Sequence, residues 1–338
     1  MDQAWTGAIE MKRLVCAAIG IALAAISACA SAPPKPGPGT VEMSLTSGGV
    51  ERTFLVHLPG ASSAPAEGMA LVLVFHGRFG TASGVESQTG FSGIADREGF
   101  VAVYPQGEGR RWADGRQGED FDDIDFVCAI LDTLQTLYRF DPDHVFATGM
   151  SNGAFFCSYL AENRTDLLLA IAPVAGGLAS PWPGGFAPAD PISVLMINGT
   201  DDPLVPWEGG EVGYERSRRD QGCMYPVEQA FGLWAEAGGC TAPQDSVGLP
   251  DTDPSDGCIC TRIAWQPGDS GARVELIRVD GGGHTWPGLE DTLGERLVGL
   301  TCMDFVSPEI IWGFFSEAMT QGGTGADRDP GTGRPPHY

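Results

Sequence analysis

The stretch Val145-Phe-Ala-Thr-Gly149-Met-Ser151-Asn-Gly153-Ala-Phe-Phe-Cys157 joins a short apolar run to a serine that stands between two glycines. The run 145–148 is typical of a strand buried on both faces, and the spacing over 152–163 predicts a helix. A strand-to-helix turn this tight needs small residues on both sides of Ser151, and it holds the serine in a strained conformation with an exposed hydroxyl. The helix N-terminus favours negative charge that develops there. We therefore interpret Ser151 as a nucleophile in preference to a structural turn residue.

The same alternation of strand and helix patterns continues on both sides of this stretch. Short apolar runs predict buried strands over 70–75, 100–104, 145–148, 167–171, 192–197 and 274–279. Residues 41–58 alternate as an antiparallel hairpin, and helices are predicted over 123–138, 152–163, 227–237 and 307–319, the last with Ser307 as N-cap. The predicted buried stripe of the first helix is Ile124, Val127, Cys128, Leu131, Leu134 and Tyr138. This pattern predicts an α/β fold, with a mostly parallel central sheet and helices on both faces.

A serine nucleophile needs a general base and a carboxylate that orients the base. Of the five histidines, His284 is preferred because it lies in a glycine-flanked loop just after the last strand run, at the edge where α/β sheets carry their sites. The acid should precede it in the chain, and Asp202, held before a proline, is preferred, with Asp201 as the alternative. An Asx-turn is the structural explanation that competes with this role.

The oxyanion that forms in acyl transfer needs two backbone N–H donors. We expect one from Asn152, the residue after the serine, and one from Arg78, since Gly77 lets the loop after 70–75 approach a substrate closely. Trp112, Trp207 and Trp286 lie in or beside the site loops. They are candidates for stacking on a substrate, and filling the loop core is an equally good explanation for each.

The composition excludes several classes of partner. The chain has 44 acidic against 20 basic residues, a formal charge of −24. Nucleic-acid binding needs a surplus of Lys and Arg, and so does attachment to anionic lipid, so neither is expected. Beyond the first thirty residues no apolar run is long enough to span a bilayer.

The N-terminal segment has the features of an export signal. Residues 1–28, with Met11 as the natural start, combine a basic start, an apolar core and a small-residue exit, and Cys29 resembles the lipidated cysteine of bacterial lipoproteins. Ordinary signal cleavage is the alternative. Residues 29–40 then form a Pro/Gly-rich tether, 41–320 the folded domain and 321–338 a disordered tail. The protein is expected to be exported, as a cell-envelope lipoprotein or freely secreted, with membrane contact only through the lipid anchor.

Seven cysteines follow the signal, and an oxidising compartment favours disulfides among them. A zinc site at Cys223, Cys240, Cys258 and Cys260 is disfavoured because no C-x-x-C pair or nearby histidine supports it. An odd number leaves at least one thiol unpaired, and the pairing stays open.

The acidic run Asp120, Asp122, Asp123 and Asp125 is better explained as a helix N-terminus than as a calcium loop. No metal or cofactor is predicted.

The motifs together resemble the polyhydroxybutyrate depolymerase and feruloyl/acetylxylan esterase family (carbohydrate esterase family 1, LpqC-like lipoproteins). The similar segments, in chain order, are 75–77, 94–100, 104–107, Trp112, 122–126, 149–153, 172–176, 200–206 and 282–288. The resemblance implies an α/β-hydrolase fold, a triad of Ser151, Asp202 and His284, and hydrolysis of carboxylic esters without a metal. Arg78, Asn198 and the stretch 209–226 depart from the family pattern, which bears on the substrate.

The expected function is therefore that of an exported serine esterase that forms an acyl-enzyme. Its expected substrate is an ester, either a polyhydroxybutyrate-type polyester or a feruloyl or acetyl ester of plant polysaccharide. Two alternatives stay open at this point: a serine peptidase of the same fold, and a non-catalytic surface binding protein on this scaffold.

Overall fold

The fold is built around a mostly parallel sheet, seen in a computed structural model that describes residues 39–60, 68–116, 121–138, 140–182, 184–213, 221–242, 246–291 and 293–321. All of these residues belong to one compact unit. The strands in chain order are β1 (Gly39–Ser47), β2 (Val50–Leu58), β3 (Met69–Phe75), β4 (Val101–Pro105), β5 (Phe140–Met150), β6 (Ala170–Val174), β7 (Ala179–Ser180), β8 (Ser193–Gly199), β9 (Gly210–Glu211), β10 (Cys223–Met224), β11 (Val247–Gly248), β12 (Ile259–Ala264) and β13 (Val274–Asp280).

Among these residues, ten strands form the main sheet in the order β1-β2-β4-β3-β5-β6-β8-β13-β12-β11. The six strands from β4 to β13 in that order run parallel, and antiparallel strands flank them on each side. The carboxyl ends of β3, β5, β8 and β13 therefore meet at one edge of the sheet. A small second sheet has the order β7-β10-β9.

Helices cover both faces of the main sheet. In chain order they are α1 (Ala82–Thr89), α2 (Phe91–Glu98), α3 (Asp123–Leu137), α4 (Asn152–Asn163), α5 (Val227–Ala237), α6 (Glu295–Val298) and α7 (Ser307–Gln321). Side chains alternate along β3, so that Leu71 and Leu73 join the core under α3, α4 and α5, whereas Val72 and Val74 join the core under α1, α2 and α7. The predicted architecture, with helices on both faces of a mostly parallel sheet, is confirmed.

Most of the predicted elements are confirmed within a few residues, including the hairpin and α3, α4, α5 and α7. The strand predicted over 167–171 is displaced, because β6 spans Ala170–Val174. Leu167 and Leu168 are buried in the preceding turn, so their apolar character reflects core packing and not strand geometry. Helices α1 and α2 were not predicted, because each spans only 8 residues, which is too short for an apolar stripe to be recognised in the sequence.

The buried face of α3 also differs from the predicted stripe. Phe126 and Ile130 are fully buried, whereas Ile124 and Cys128 are only partly buried. The face is rotated by about one residue because the largest side chain, Phe126, packs edge-on against Phe54 of β2. Ser307 is the first residue of α7 rather than its cap, and its hydroxyl donates to the carbonyl of Pro287 at 2.8 Å.

Several predictions lie outside the described residues: the signal 1–28, the lipidation site Cys29, most of the tether and nearly all of the tail. Of the predicted tether, residues 39 and 40 are the start of β1. Within the described part of the chain, no helix has the length and apolar character to cross a membrane.

Candidate active site

Ser151 occupies the sharp turn between β5 and α4. Its φ of 58° and ψ of −123° lie in a region that non-glycine residues rarely adopt. Its backbone N–H donates to Val174 of the neighbouring strand at 3.0 Å, and its carbonyl accepts from Phe155 at 3.0 Å. Both ends of the residue are thus fixed, which maintains the strained conformation and keeps the side chain at the sheet edge.

The glycines around Ser151 are required by close packing against β3. A Cβ on Gly153 would lie 2.4 Å from the carbonyl oxygen of Phe75, and one on Gly149 would lie 2.8 Å from the same atom. A Cβ on Gly176, which follows β6, would lie 3.1 Å from the carbonyl oxygen of Ser151. Helix α4 therefore approaches the sheet closely enough to bring Ser151 beside the loop after β3.

Asp202 and His284 lie at the ends of β8 and β13 and form a buried pair. Nδ1 of His284 lies 2.7 Å from Oδ2 of Asp202, and the two side chains are 5 % and 1 % exposed. The other carboxylate oxygen accepts the backbone N–H groups of Leu204 and Val205, both at 2.8 Å. With a proton on Nδ1, the imidazole has an unprotonated Nε2 that can accept a proton. Asp201, the alternative acid, is exposed, and its carboxylate accepts from the hydroxyl of Thr200.

Backbone contacts hold the acid loop and the histidine loop together. Asp201 N–H donates to Gly282 at 3.0 Å, and Gly281 N–H donates to the hydroxyl of Thr200 at 2.9 Å. A Cβ on Gly199 would lie only 2.1 Å from the carbonyl oxygen of Gly282. The Asp202–His284 hydrogen bond is thus built between two loops whose backbones are already in contact.

The hydroxyl of Ser151 forms no hydrogen bond with any of the described residues. The structure therefore brings Asp202 and His284 into direct contact and places Ser151 at the same sheet edge, without a hydrogen bond between Ser151 and His284. In unliganded hydrolases such bonds are often long and tighten only when substrate binds.

The loop after β3 carries Arg78, whose N–H was predicted as an oxyanion donor. The carbonyl of Gly77 accepts from His76 Nδ1 at 2.8 Å and from Gly80 N–H at 2.9 Å. Because the peptide unit is planar and trans, fixing this carbonyl also fixes the Arg78 N–H that points the opposite way. No described residue accepts a hydrogen bond from that N–H or from Asn152 N–H. A Cβ on Gly77 would lie 3.5 Å from Cβ of Ser151, so the loop borders the serine.

His76 is a buried residue that supports this loop. Its Nε2 accepts from Gly107 N–H at 3.0 Å, while Nδ1 donates to Gly77. Burial lowers the pKa of His76 to about 4, so the ring is neutral near pH 7. The role of these His76 hydrogen bonds in orienting the loop was not predicted from the sequence.

The side chain of Asn152 fastens the serine turn to a neighbouring loop. Its Oδ1 accepts from Trp112 N–H at 2.8 Å, and its Nδ2 donates to the carbonyl of Trp112 and to Asp114. The indole of Trp112 in turn donates to the carbonyl of His76 at 2.8 Å. These bonds join the serine turn and the Arg78 loop into one buried network.

Comparisons with known proteins give the family. Residues 53–180 match the family described as Esterase PHB depolymerase. Over 267 residues the chain is 35 % identical to NocK of Nocardia uniformis subsp. tsuyamanensis, whose name describes it as an esterase, and the match covers 75 % of this chain and 76 % of NocK. The chain belongs to the PHB depolymerase family of esterases. It is thus an enzyme of the carboxylic ester hydrolase class.

One relative of this esterase is a much longer protein. The esterase is 26 % identical over 286 residues to a bifunctional acetylxylan esterase/xylanase of Neocallimastix patriciarum, a match that covers 84 % of this chain but 37 % of that protein. Further relatives are named feruloyl esterases. The esterase spans about three quarters of NocK and less than half of the acetylxylan esterase/xylanase.

The fold agrees with that of solved hydrolases. A dienelactone hydrolase-like promiscuous phosphotriesterase from metagenomic libraries superposes with a TM-score of 0.52 at 16 % identity, over 84 % of this chain and 98 % of that one. The esterase therefore has the α/β-hydrolase fold that the resemblance implied.

The three tryptophans predicted to contact substrate occupy different environments. Trp112 and Trp286 are each 1 % exposed, and Trp112 is stacked on Phe156 at 5.2 Å between ring centroids. Their burial favours the alternative explanation, in which they fill the core beneath the loops. Trp207 is 9 % exposed and lines a recess of about 390 Å³ beside Asp202, together with Glu228 and Arg278. Of the three predicted tryptophans, Trp207 is the one that lines this recess.

Cysteines and acids approach one another at two places in the described chain. The groups are Asp256, Cys258 and Cys302, and Cys260, Cys302 and Asp304. Cys223 and Cys240, which the zinc alternative included, are not in either group.

In the acidic run, Asp122 caps α3 and Asp123 binds Arg52 at 2.7 Å, so both carboxylates already have protein partners. Asp120 lies outside the described residues.

Asn198 is a further residue whose place sequence reasoning did not foresee. It is 2 % exposed, and its Nδ2 donates to the carbonyl of Gly176 at 3.0 Å. Gly176 packs against Ser151, so Asn198 supports the turn from behind. The sequence marked Asn198 only as a departure from the family pattern.

Proposed function

We propose that this protein is a serine esterase in which Ser151 attacks the ester carbonyl, His284 is the general base and Asp202 orients it. The observation that carries the proposal is the buried 2.7 Å contact between Asp202 and His284. It lies at the sheet edge where Ser151 is held in a strained turn. A carboxylate that is fixed by two backbone donors and bonded to an imidazole suits the base of a nucleophilic hydroxyl.

In the proposed mechanism, Nε2 of His284 removes the proton of Ser151 as its oxygen attacks the carbonyl carbon. The N–H groups of Arg78 and Asn152 stabilise the oxyanion, and the protonated His284 returns its proton to the leaving alcohol. Water then attacks the acyl-enzyme with the same imidazole as base, which releases the carboxylic acid and regenerates Ser151. Asp202 stabilises the imidazolium and keeps Nδ1 protonated throughout.

The proposed substrate is an ester of a polyhydroxybutyrate-type polyester or a feruloyl or acetyl ester of plant polysaccharide. The family description and the names of the relatives support this range. Trp207 lines a recess beside Asp202, and its indole is the proposed contact for an aromatic or sugar ring of the substrate. Trp112 and Trp286 are not part of this proposal, since their faces are buried.

The direct test compares alanine substitutions of two serines, Ser151 immediately before α4 and Ser158 within α4. Ser151→Ala should lower kcat on a short nitrophenyl ester by at least ~10⁴-fold and abolish labelling by a fluorophosphonate. Ser158→Ala is the matched control, because the hydroxyl of Ser158 is buried and has no hydrogen-bond partner in the part of the chain that the structure describes. It should leave kcat and labelling unchanged. Wild-type turnover by Ser151→Ala would refute the proposal, and absence of labelling in the wild type would favour a non-catalytic binding protein.

An ester panel identifies the substrate. Rates on methyl ferulate, acetylated xylan, hydroxybutyrate oligomers and nitrophenyl esters of increasing chain length should single out one acyl class. A matched pair of ester and amide substrates belongs to the same panel, because the fold also hosts peptidases. Amide cleavage as fast as ester cleavage would contradict the esterase proposal.

We also propose that the protein is exported, with Cys29 as the lipidated N-terminus of the mature chain. The sequence features of residues 1–28 support this proposal. Mass spectrometry of the mature protein should find a diacylated Cys29. An unacylated N-terminus at Cys29 or further downstream would favour plain secretion.

A further inference from the structure

Three cysteines converge behind the loop that carries His284, and we call them the thiol cluster: Cys258, Cys260 and Cys302. Cys260 lies in β12, and its sulfur is 3.2 Å from that of Cys302, which is 42 residues away in sequence. All three side chains are buried, at 3 %, 1 % and 0 % exposed. At this distance the two thiols are in contact but not bonded, because an S–S bond is about 2.05 Å long.

The segment that contains Cys302 pairs directly with the histidine loop. His284 N–H donates to the carbonyl of Val298, and Gly283 N–H donates to the carbonyl of Leu300 at 2.8 Å. The carbonyl of Cys302 itself accepts from Gly288 N–H at 2.7 Å. The position of segment 298–302 therefore determines the backbone position of His284.

We propose that Cys260 and Cys302 form a disulfide that fastens segment 298–302 to β12 and so fixes the loop that carries His284. Strand β12 is hydrogen-bonded to β13, from which that loop starts. The cross-link would close a covalent ring that contains β12, β13 and the loop. Cys258 remains a thiol beside it. The inference depends on the proposed export for an oxidising compartment, and it does not depend on the catalytic roles.

A metal site fits these residues less well than a disulfide. Thiolates that share a tetrahedral zinc lie about 3.8 Å apart, because each Zn–S bond is about 2.3 Å, and the two sulfurs here are closer than that. Both oxygens of Asp256 accept backbone N–H groups, from Cys258 at 2.7 Å and Met303 at 2.6 Å. Asp304 Oδ1 accepts from Thr252, and Oδ2 of Asp304 is buried without a hydrogen-bond partner among the described residues. Zinc is therefore an outcome that the test must exclude.

The oxidation needs an electron acceptor, and a disulfide of an exported thiol–disulfide oxidoreductase supplies it. The thiolate of one cysteine attacks that disulfide and forms a mixed disulfide. The thiolate of the other cysteine then attacks the protein's own sulfur and displaces the oxidoreductase as a dithiol. Two electrons and two protons pass from the cysteine pair to the oxidoreductase. Burial raises the pKa of Cys258 to about 12, and the contact with Cys302 together with burial raises that of Cys260, so we expect exchange during folding, before the site is covered.

Peptide mapping of the exported full-length protein tests the pairing directly. Free thiols are alkylated under denaturing conditions, and the protein is digested without reduction. The expected result is a peptide pair joined through Cys260 and Cys302, with Cys258 and the buried core residue Cys157 alkylated. Alkylation of both Cys260 and Cys302, a Cys258–Cys302 link, or one equivalent of zinc by elemental analysis would each overturn the proposal. None of these outcomes depends on esterase activity.

Alanine variants test whether the bond fixes the loop. Cys260→Ala, Cys302→Ala and the double variant should all lower Tm by about 10 °C, without additivity, because each removes the same cross-link. Reduction of the wild type should have the same effect and should speed amide exchange at Gly283 and His284 about tenfold. Cys258→Ala is the matched control and should keep both the cross-linked peptide and the slow exchange. If reductant changed neither the Tm nor the amide exchange of the wild type, the proposal would be contradicted, even if the variants fail to fold.

Discussion

The two sides of the site are built in different ways. The nucleophile side, residues 75–80 and 149–153, is held by glycine contacts with backbone atoms and by buried hydrogen bonds from His76 and Trp112. The histidine side, residues 199–205 and 281–302, depends on backbone pairing between segments that are far apart in sequence. On both sides glycines pack closely against backbone atoms, as Gly153 and Gly199 show, but the chemistry of the histidine side can be removed at Asp202 without adding an atom to the packing.

Of the substitutions that distinguish the two sides, Asp202→Asn is expected to have the largest effect, and it acts on the histidine side. The amide oxygen can still accept the N–H groups of Leu204 and Val205, so the loop should stay folded. Its NH₂ group would face Nδ1 of His284 and force the proton onto Nε2, the wrong tautomer for a base. We expect kcat to fall by about 10⁴-fold with little change in KM, measured by steady-state kinetics on a nitrophenyl ester.

Asp201→Asn is the control for this prediction. Asp201 is exposed and makes no hydrogen bond to His284, so its variant should keep kcat within about twofold. If Asp201→Asn lost more activity than Asp202→Asn, the assignment of the acid would be wrong.

Gly153→Ala, on the nucleophile side, should lower the stability of the fold, whereas Asp202→Asn should lower kcat and leave the fold intact. The new Cβ would lie 2.4 Å from the carbonyl oxygen of Phe75 and 2.7 Å from that of His76, and neither backbone atom can move without displacing β3. We expect the free energy of unfolding to fall by more than about 3 kcal/mol, measured by urea denaturation.

Gly232→Ala in α5 is the matched control for this second prediction. Gly232 has no atom within 4 Å of an added Cβ, and alanine favours a helix over glycine. It should raise stability by about 0.5–1 kcal/mol. Equal stability of the two variants would show that the turn between β5 and α4 is less tightly packed than described.

These two sides also differ in how much the sequence predicted. Ser151 and its turn were predictable because strand, glycines and helix are adjacent in the chain, and short-range sterics determine the conformation. Asp202 and His284 were predictable as candidates from their place after strand runs, and their contact agrees with the preference for Asp202 over Asp201. The convergence of Cys260 and Cys302 was not predictable, because a disulfide partner depends on how β12 and segment 298–302 meet in three dimensions.

A third prediction concerns pH and the nucleophile side. The pKa of His76 is about 4 in the folded protein, below the ordinary value of 6.5, because of burial. Between these values the unfolded chain binds a proton that the folded chain does not, so stability falls as pH is lowered from about 6.5 to about 4, and this contribution levels off below. The loss attributable to His76 is at most about 3 kcal/mol. Denaturation of wild type and His76→Asn across this range measures it, since the variant should lose this part of the acid sensitivity. If the free energies of unfolding of the two proteins changed in parallel with pH, the neutral, buried state of His76 would be refuted.

The smallest effect is expected from a pair of tryptophans, one on each side. Trp207→Phe shortens a face of the recess beside Asp202 but leaves an aromatic ring, so KM for an aromatic acyl ester should rise about three- to tenfold with kcat nearly unchanged. Trp112→Phe removes the hydrogen bond to the carbonyl of His76 and loosens the loop that carries the Arg78 N–H, so it should lower kcat and leave KM nearly unchanged. The kinetics of both variants on methyl ferulate and on an acetyl ester separate the two roles. If Trp112→Phe instead raised KM and Trp207→Phe lowered kcat, the binding face of the site would lie on the nucleophile side.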